Sequence, residues 1–213
     1  MIKKIALASI LLGTLANAEI DQTGFFVGID GSKSSNIMYE NTNADNPTFA
    51  YNEYTANFDE YTPSFKVGYQ YYFTRLYARI NSFEYTDSKR DKYTIKGMTY
   101  ELNADYIPVF YMSKDKEWDI RGVFGVGVGL NTSKLENYDV ALLPVDITAN
   151  DSQSYVEYGL QVGLLSEISI GMSLELGLRY RQGYLQKFSD INSNEATFSR
   201  DETEYYFGVN YLF

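Results

Sequence analysis

Cysteine and histidine are both absent from the 213 residues. Without cysteine the chain makes no disulfide and does no thiol chemistry, which excludes the small disulfide-stapled secreted scaffolds. Without histidine there is no Ser-His triad, and the two absences together remove the usual nitrogen and sulfur ligands of zinc. Proline is scarce, at 4 residues, and tryptophan occurs once. Beyond residue 20 no apolar run approaches the roughly 20 residues that a helix needs to cross a bilayer. Basic residues are outnumbered, and the formal net charge of −10 argues against a nucleic-acid partner, which calls for a basic stripe.

What the chain does have begins with a leader. Met1-Ile2-Lys3-Lys4 is a short basic head, residues 5–15 are mostly apolar, and Ala16-Asn17-Ala18 gives a signal peptidase its small-x-small pattern before Glu19. Residues 1–18 are therefore expected to be a cleaved signal peptide. The remaining stretch, 19–213, is long enough for one domain with a substantial core.

Tyr 21, Phe 13 and Gly 16 stand out in the composition, and aromatic residues suit pleated strands better than helices. No helical apolar period follows residue 20. Alternation with period two recurs instead in eight segments, which predicts an all-β protein. The strands are expected near 24–32, 64–73, 76–81, 94–107, 118–130, 156–164, 172–181 and 204–213. In the first, Phe25, Val27 and Ile29 oppose Gly28, Asp30 and Ser32. In the seventh, Leu174, Leu176, Leu178 and Tyr180 oppose Glu175, Gly177, Arg179 and Arg181.

The connections alternate in length. Tight turns are expected at Phe73-Thr74-Arg75 and Leu165-Ser166-Glu167, and a modest one at 113–117. Long polar loops are expected at 33–62, 132–154 and 182–203, with a shorter one at 86–93. The prolines (Pro47, Pro63, Pro108, Pro144) fall in loops or near strand ends, where a missing N–H is tolerated. Long, short, long, short is the pattern of an outer-membrane barrel, with short periplasmic turns and long extracellular loops.

A soluble β-sandwich alternates too. Here, however, the parity that carries Lys66, Arg79, Glu101, Arg121, Glu157, Glu175 and Arg179 also carries most of the glycines. A water-facing surface has no need of that mixture. A narrow barrel interior does, because each glycine makes room for a long charged side chain. Lipid then covers the aromatic face. Only closed barrels and helices pair every backbone group inside a bilayer, and these segments approach the ten or so residues of a tilted span.

The chain resembles the outer-membrane β-barrel family that includes the transmembrane domain of outer-membrane protein A and its eight-stranded relatives. The resemblance is carried by residues 118–129 (WDIRGVFGVGVG), 174–181 (LELGLRYR) and 205–213 (YYFGVNYLF), and it covers essentially all of 19–213. It implies an eight-stranded antiparallel up-and-down transmembrane barrel in the bacterial outer membrane. It also implies that Tyr205, Phe207, Val209, Tyr211 and Phe213 form the signal read by the barrel-assembly machinery. Further implied partners are outer-membrane lipid and lipopolysaccharide.

Little catalytic chemistry is left. The absence of histidine removes the histidine-dependent lipases, deacylases, palmitoyl transferases and proteases known on similar barrels. Gly125-x-Gly127-x-Gly129 lies on one strand face with no helix after it, so it is not a phosphate loop. Asn41-x-Asn43-x-Asp45 lacks the glycine and the closing glutamate of a calcium loop. No cofactor or metal is expected. Lys66, Arg79, Glu101, Arg121, Glu157, Glu175, Arg179, Arg181 and Glu204 are expected to form an ion-pair network that plugs the lumen, since unpaired buried charge is costly and eight-stranded interiors are just filled by side chains.

The expected function is a non-enzymatic structural or surface-contact role through the loops. Tyr39, Phe49, Tyr51, Tyr54, Phe58 and Tyr61 are candidate contacts for an extracellular ligand that the sequence does not name. Two alternatives stay open: a narrow porin-like channel, and a lipid- or polysaccharide-acting enzyme using carboxylate pairs.

Overall fold

The computed structural model describes residues 23–34, 37–42, 54–56, 61–86, 94–114, 118–136, 152–169, 171–189 and 195–213. Eight strands form a wall: β1 (Gly24–Ser34), β4 (Tyr61–Tyr71), β5 (Thr74–Thr86), β6 (Thr94–Tyr106), β8 (Asp119–Glu136), β9 (Gln153–Ser169), β10 (Met172–Ser189) and β11 (Glu195–Leu212). Each pairs antiparallel with the next, and β1 pairs with β11 from Phe26↔Leu212 to Ser34↔Glu204, which closes the barrel. Among the described residues, shorter strands also lie outside this ring: β2 (Ile37–Thr42), β3 (Tyr54–Ala56) and β7 (Val109–Met112).

The two parities of each strand part company, as the alternation predicts. Phe25, Ile29, Leu102, Tyr158 and Leu160 are 58–68% exposed, whereas Lys66, Arg79, Glu175 and Glu204 are at most 1% exposed. The molecule is thus inverted relative to a soluble domain. Its outward apolar residues form a continuous belt, for example Phe124, Val126, Val128 and Leu130 on β8, or Leu164, Val162, Leu160, Tyr158 and Val156 on β9. Seven to nine residues of tilted strand raise this belt by roughly 20 Å, close to a hydrocarbon layer.

Both ends of the belt are marked. At the short-turn end, exposed aromatics crowd together: Tyr71 with Tyr72, Tyr111 with Trp118 and Tyr211 with Phe213 have ring centroids 4.6, 5.1 and 4.9 Å apart. Amphipathic rings of this kind favour a membrane interface. At the other end the outward positions turn polar. Glu84, Lys96, Lys134 and Glu136 lie on the adjacent strands β5, β6 and β8, with Lys96 Nζ 3.2 Å from both glutamates and Lys134 paired with Glu136. Hydrogen bonds from Lys134 and Lys96 hold the Glu136 carboxyl below its ordinary range.

The connections depart from expectation in several places. β9 continues through residues 165–167 to Ser169, and Gly171, at φ +79°, takes part in the turn instead. Consecutive Leu164 and Leu165 read as an end of alternation. Leu165 in fact points inward with Ile107 and Val123, forming a small apolar floor at the short-turn end. The first tight turn sits at Tyr72-Phe73, so Arg75 belongs to β5 and faces inward. The connection between β6 and β8 contains β7, paired with β8 from Val109↔Arg121 to Met112↔Asp119.

Of the expected long loops, 182–203 is largely strand among the described residues. β10 and β11 pair as far as Ser189↔Glu195. β2 continues along β11 beyond β1, from Ile37↔Arg200 to Thr42↔Glu195, and β3 pairs with β2. Above the belt no hydrocarbon demands an apolar outward face, so the extensions of β10 and β11 expose polar residues such as Gln182, Asp201 and Thr203 and escape a hydrophobic-period reading.

Candidate functional site

Among the described residues, the inward parity delivers seven basic and eight acidic buried side chains to one interior. Three connected tiers can be followed from the short-turn end. In the first, Glu175 on β10 accepts from Lys66 Nζ (3.1 Å), Arg75 Nη1 (2.9 Å), the Tyr206 hydroxyl (3.1 Å) and Asn210 Nδ2 (3.1 Å). Arg75 also donates to Asp105 through Nε (3.1 Å) and Nη2 (2.6 Å), while Asp105 Oδ1 accepts from Gln161 Nε2 (2.6 Å). The guanidinium of Arg75 lies 5.6 Å and 5.7 Å from the ring centroids of Phe26 and Tyr77, within cation–π range.

The second tier is centred on Asp30, which Ser64 Oγ hydrogen-bonds. Lys66, Arg79 and Arg179 approach its carboxylate to 3.6, 3.7 and 3.8 Å. Arg79 and Arg181 both reach Glu101 Oε1 at 2.9 Å, and Arg181 continues to Glu157 (3.6 Å) and Glu204 (3.4 Å). Arg179 pairs with Glu204 at 3.5 Å and stacks 4.4 Å from the Tyr206 ring centroid.

In the third tier Arg200 on β11 donates to Glu157 (2.9 Å) and to the Tyr85 hydroxyl (2.7 Å), and pairs with Glu202 (2.9 Å). Its guanidinium lies 4.6 Å from the Phe83 ring centroid. Above it the interior turns apolar. Tyr85, Ile95 and Leu135 are successive cross-strand partners on β5, β6 and β8, all 3% exposed or less. The pairing of β10 with β11 shifts register between Tyr184 and Gln186, and the consecutive Leu185 and Gln186 are both fully buried. Gln186 Nε2 donates to the Ser133 carbonyl (2.5 Å), and Ser133 Oγ to the Leu185 carbonyl (2.5 Å), tying β10 to β8 across β9.

Charged side chains fit because glycines stand beside them. Gly125, Gly127 and Gly129 of β8 are the immediate cross-strand partners of Asp105, Asn103 and Glu101 of β6. Likewise Gly177 and Gly163 are paired, and Tyr206, the other partner of Gly177, lies against both. A Cβ at Gly177 would stand 2.4 Å from the Val162 carbonyl oxygen and 2.8 Å from Gly163 Cα. Backbone cannot yield there. Gly177→Val is expected to destabilise the barrel by about 3 kcal/mol, near the upper end of overpacking costs, as measured by urea unfolding in lipid vesicles.

Of the residues singled out in the sequence, Lys66, Arg79, Glu101, Glu157, Glu175, Arg179, Arg181 and Glu204 lie within these tiers. Arg121 stands apart, paired with Asp119 (2.6 Å) and Glu167 (3.5 Å) near the short-turn end. Asp30, Arg75, Asp105, Arg200 and Glu202 join the interior as well. Asp30 and Asp105 share the inward parity of the expected strands, whereas Arg75, Arg200 and Glu202 fall in segments whose sequence predicts a turn or a loop. Tyr205, Phe207, Tyr211 and Phe213 face outward, with Val209 half-buried. Tyr39, Tyr54 and Tyr61 lie on β2, β3 and β4, while Phe49, Tyr51, Phe58 and the leader residues Ala16, Ala18 and Glu19 are outside the described residues.

A closed ladder, an apolar exterior of bilayer height and a polar interior define an integral outer-membrane β-barrel of eight strands. Comparison with solved structures agrees. The barrel is similar to Neisserial surface protein A at a TM-score of 0.50 and 16% identity, covering 89% of this chain and 97% of that one. It is similar to the outer-membrane protein AlkL in lipid bilayers at a TM-score of 0.51 and 12% identity, covering 92% of each chain. No protein-family model matches the chain, and no curated protein matches it in sequence.

Proposed function

We propose that the protein is a non-enzymatic outer-membrane barrel whose lumen is plugged by its own ion pairs, and whose role is structural or one of surface contact at the extended end. The observation that supports this most is the interior itself. Among the described residues, six basic and seven acidic side chains interlock there, and the cavity among Glu101, Glu157, Arg179 and Arg181 is only about 10 Å³, space for at most one water. Among the described residues the buried carboxylates are paired with guanidinium and ammonium groups, which leaves none of them as a free acid–base pair for glycoside or lipid hydrolysis. Residues 1–18 act as the export signal on this reading, and the outward alternation from Tyr205 to Phe213 as the assembly signal.

Planar-bilayer recording tests the plug. Purified folded barrel is expected to give no steady single-channel steps between pH 5 and 8. Reproducible steps whose size changes on Glu157→Gln would instead establish a channel.

A further inference from the structure

We propose that a trough on the outer wall seats one acyl chain of an outer-leaflet lipopolysaccharide molecule. The trough, of about 560 Å³, runs across the strands at the edge of the belt nearer the extended end. Its floor is a row of small outward residues on adjacent strands, Gly31, Pro63 and Ser82. Gly31 and Pro63 are cross-strand partners, and a Cβ built on Gly31 would meet nothing within 4 Å. Ile29, Phe65 and Ile80, partnered in turn across the same three strands, make the lower wall. Phe207, the partner of Gly31 on β11, and Met98, the partner of Ser82 on β6, close its two ends.

The local backbone accounts for the trough. Pro63 has no N–H to donate, and the described pairing of β4 with β5 runs only from Tyr71↔Thr74 to Ser64↔Asn81. Beyond that point β4 stays with β1 and β5 stays with β6. A depression therefore forms where the ladder ends.

Its occupant follows from its place. The apolar wall is continuous with the lipid-facing belt, so an unfilled trough would leave a void in the hydrocarbon layer. Hydrocarbon must fill it. The extended end of an outer-membrane barrel faces the cell exterior, and the lipid of that leaflet is lipopolysaccharide. Lys33, exposed one outward position above Gly31 on β1, lies on the extended-end side of the trough.

The test is retention of lipid by the whole folded barrel. Protein is folded into vesicles of phosphatidylethanolamine and rough lipopolysaccharide, transferred to mild detergent, and weighed by native mass spectrometry. Wild type is expected to retain one lipopolysaccharide molecule. Gly31→Leu fills the floor, and losing two or three buried methylenes of contact should lower the retained fraction by about tenfold or more. Ser82→Leu should do the same from the other end and keeps the test open should Gly31→Leu fail to fold. Ala78→Leu, an outward small residue outside the trough, should change nothing. Retention of phospholipid only, of no lipid, or equal retention by the trough variants and wild type would overturn the proposal.

Discussion

Glu175→Gln should lower the unfolding free energy of the bilayer-folded barrel by about 3–5 kcal/mol, the cost of leaving buried partners uncompensated. Glu175 is fully buried and meets four donors, two of them charged. Glutamine keeps the shape and one acceptor oxygen but not the charge that Lys66 and Arg75 face. Neutralising Lys66 in the same chain (Lys66→Met) should recover more than about 1 kcal/mol, because the residual charge imbalance is then smaller. Glu84→Gln, on the exposed charged row, should move stability by less than about 0.5 kcal/mol. Urea titration in vesicles, followed by the mobility difference between folded and heated protein on gels, reads all three. A Glu175→Gln cost as small as that of Glu84→Gln would show that the first tier contributes no stability.

The second large effect belongs to the opposite face. Val128 lies in the middle of the outward series Phe124, Val126, Val128 and Leu130 on β8 and is 46% exposed. An arginine there would sit near the bilayer midplane and should cost about 2–4 kcal/mol. Thr132→Arg, two outward positions further towards the charged row, should cost about 0–1 kcal/mol. The gradient is the signature. A water-facing wall would tolerate both arginines, and a buried protein interface would reject them without regard to height.

These two faces were legible in the sequence to different degrees. Wherever hydrocarbon selects the outward residues, parity was plain: Leu174, Leu176 and Leu178 face out and Glu175 and Arg179 face in, and no other register satisfies both solvents. The third tier was hidden because β10 and β11 rise above the belt. There Asp201 and Thr203 face water while Arg200 and Glu202 face the lumen, so both parities are polar and the alternation carries no contrast. Arg75 was concealed by a turn that lies one residue earlier than the sequence suggested. The apolar cap of Tyr85, Ile95 and Leu135 was equally invisible, since an inward apolar residue above the belt inverts the rule that holds within it. Pairings such as Arg181 with Glu101, or Tyr206 across Gly177 and Gly163, depend on register between strands that no single segment specifies.

One scan addresses lipid outside and sealed charge inside together. The native chain has no cysteine, so nitroxide labels can be placed singly at positions 156–162 of β9 in the vesicle-folded barrel. Relaxation by dissolved oxygen and by a water-soluble nickel complex is then compared at each site. Labels at 156, 158, 160 and 162 should respond strongly to oxygen and weakly to nickel, and those at 157, 159 and 161 weakly to both. Nickel access at the odd positions would reveal an aqueous pore, and nickel access at the even positions would place water where the account requires hydrocarbon.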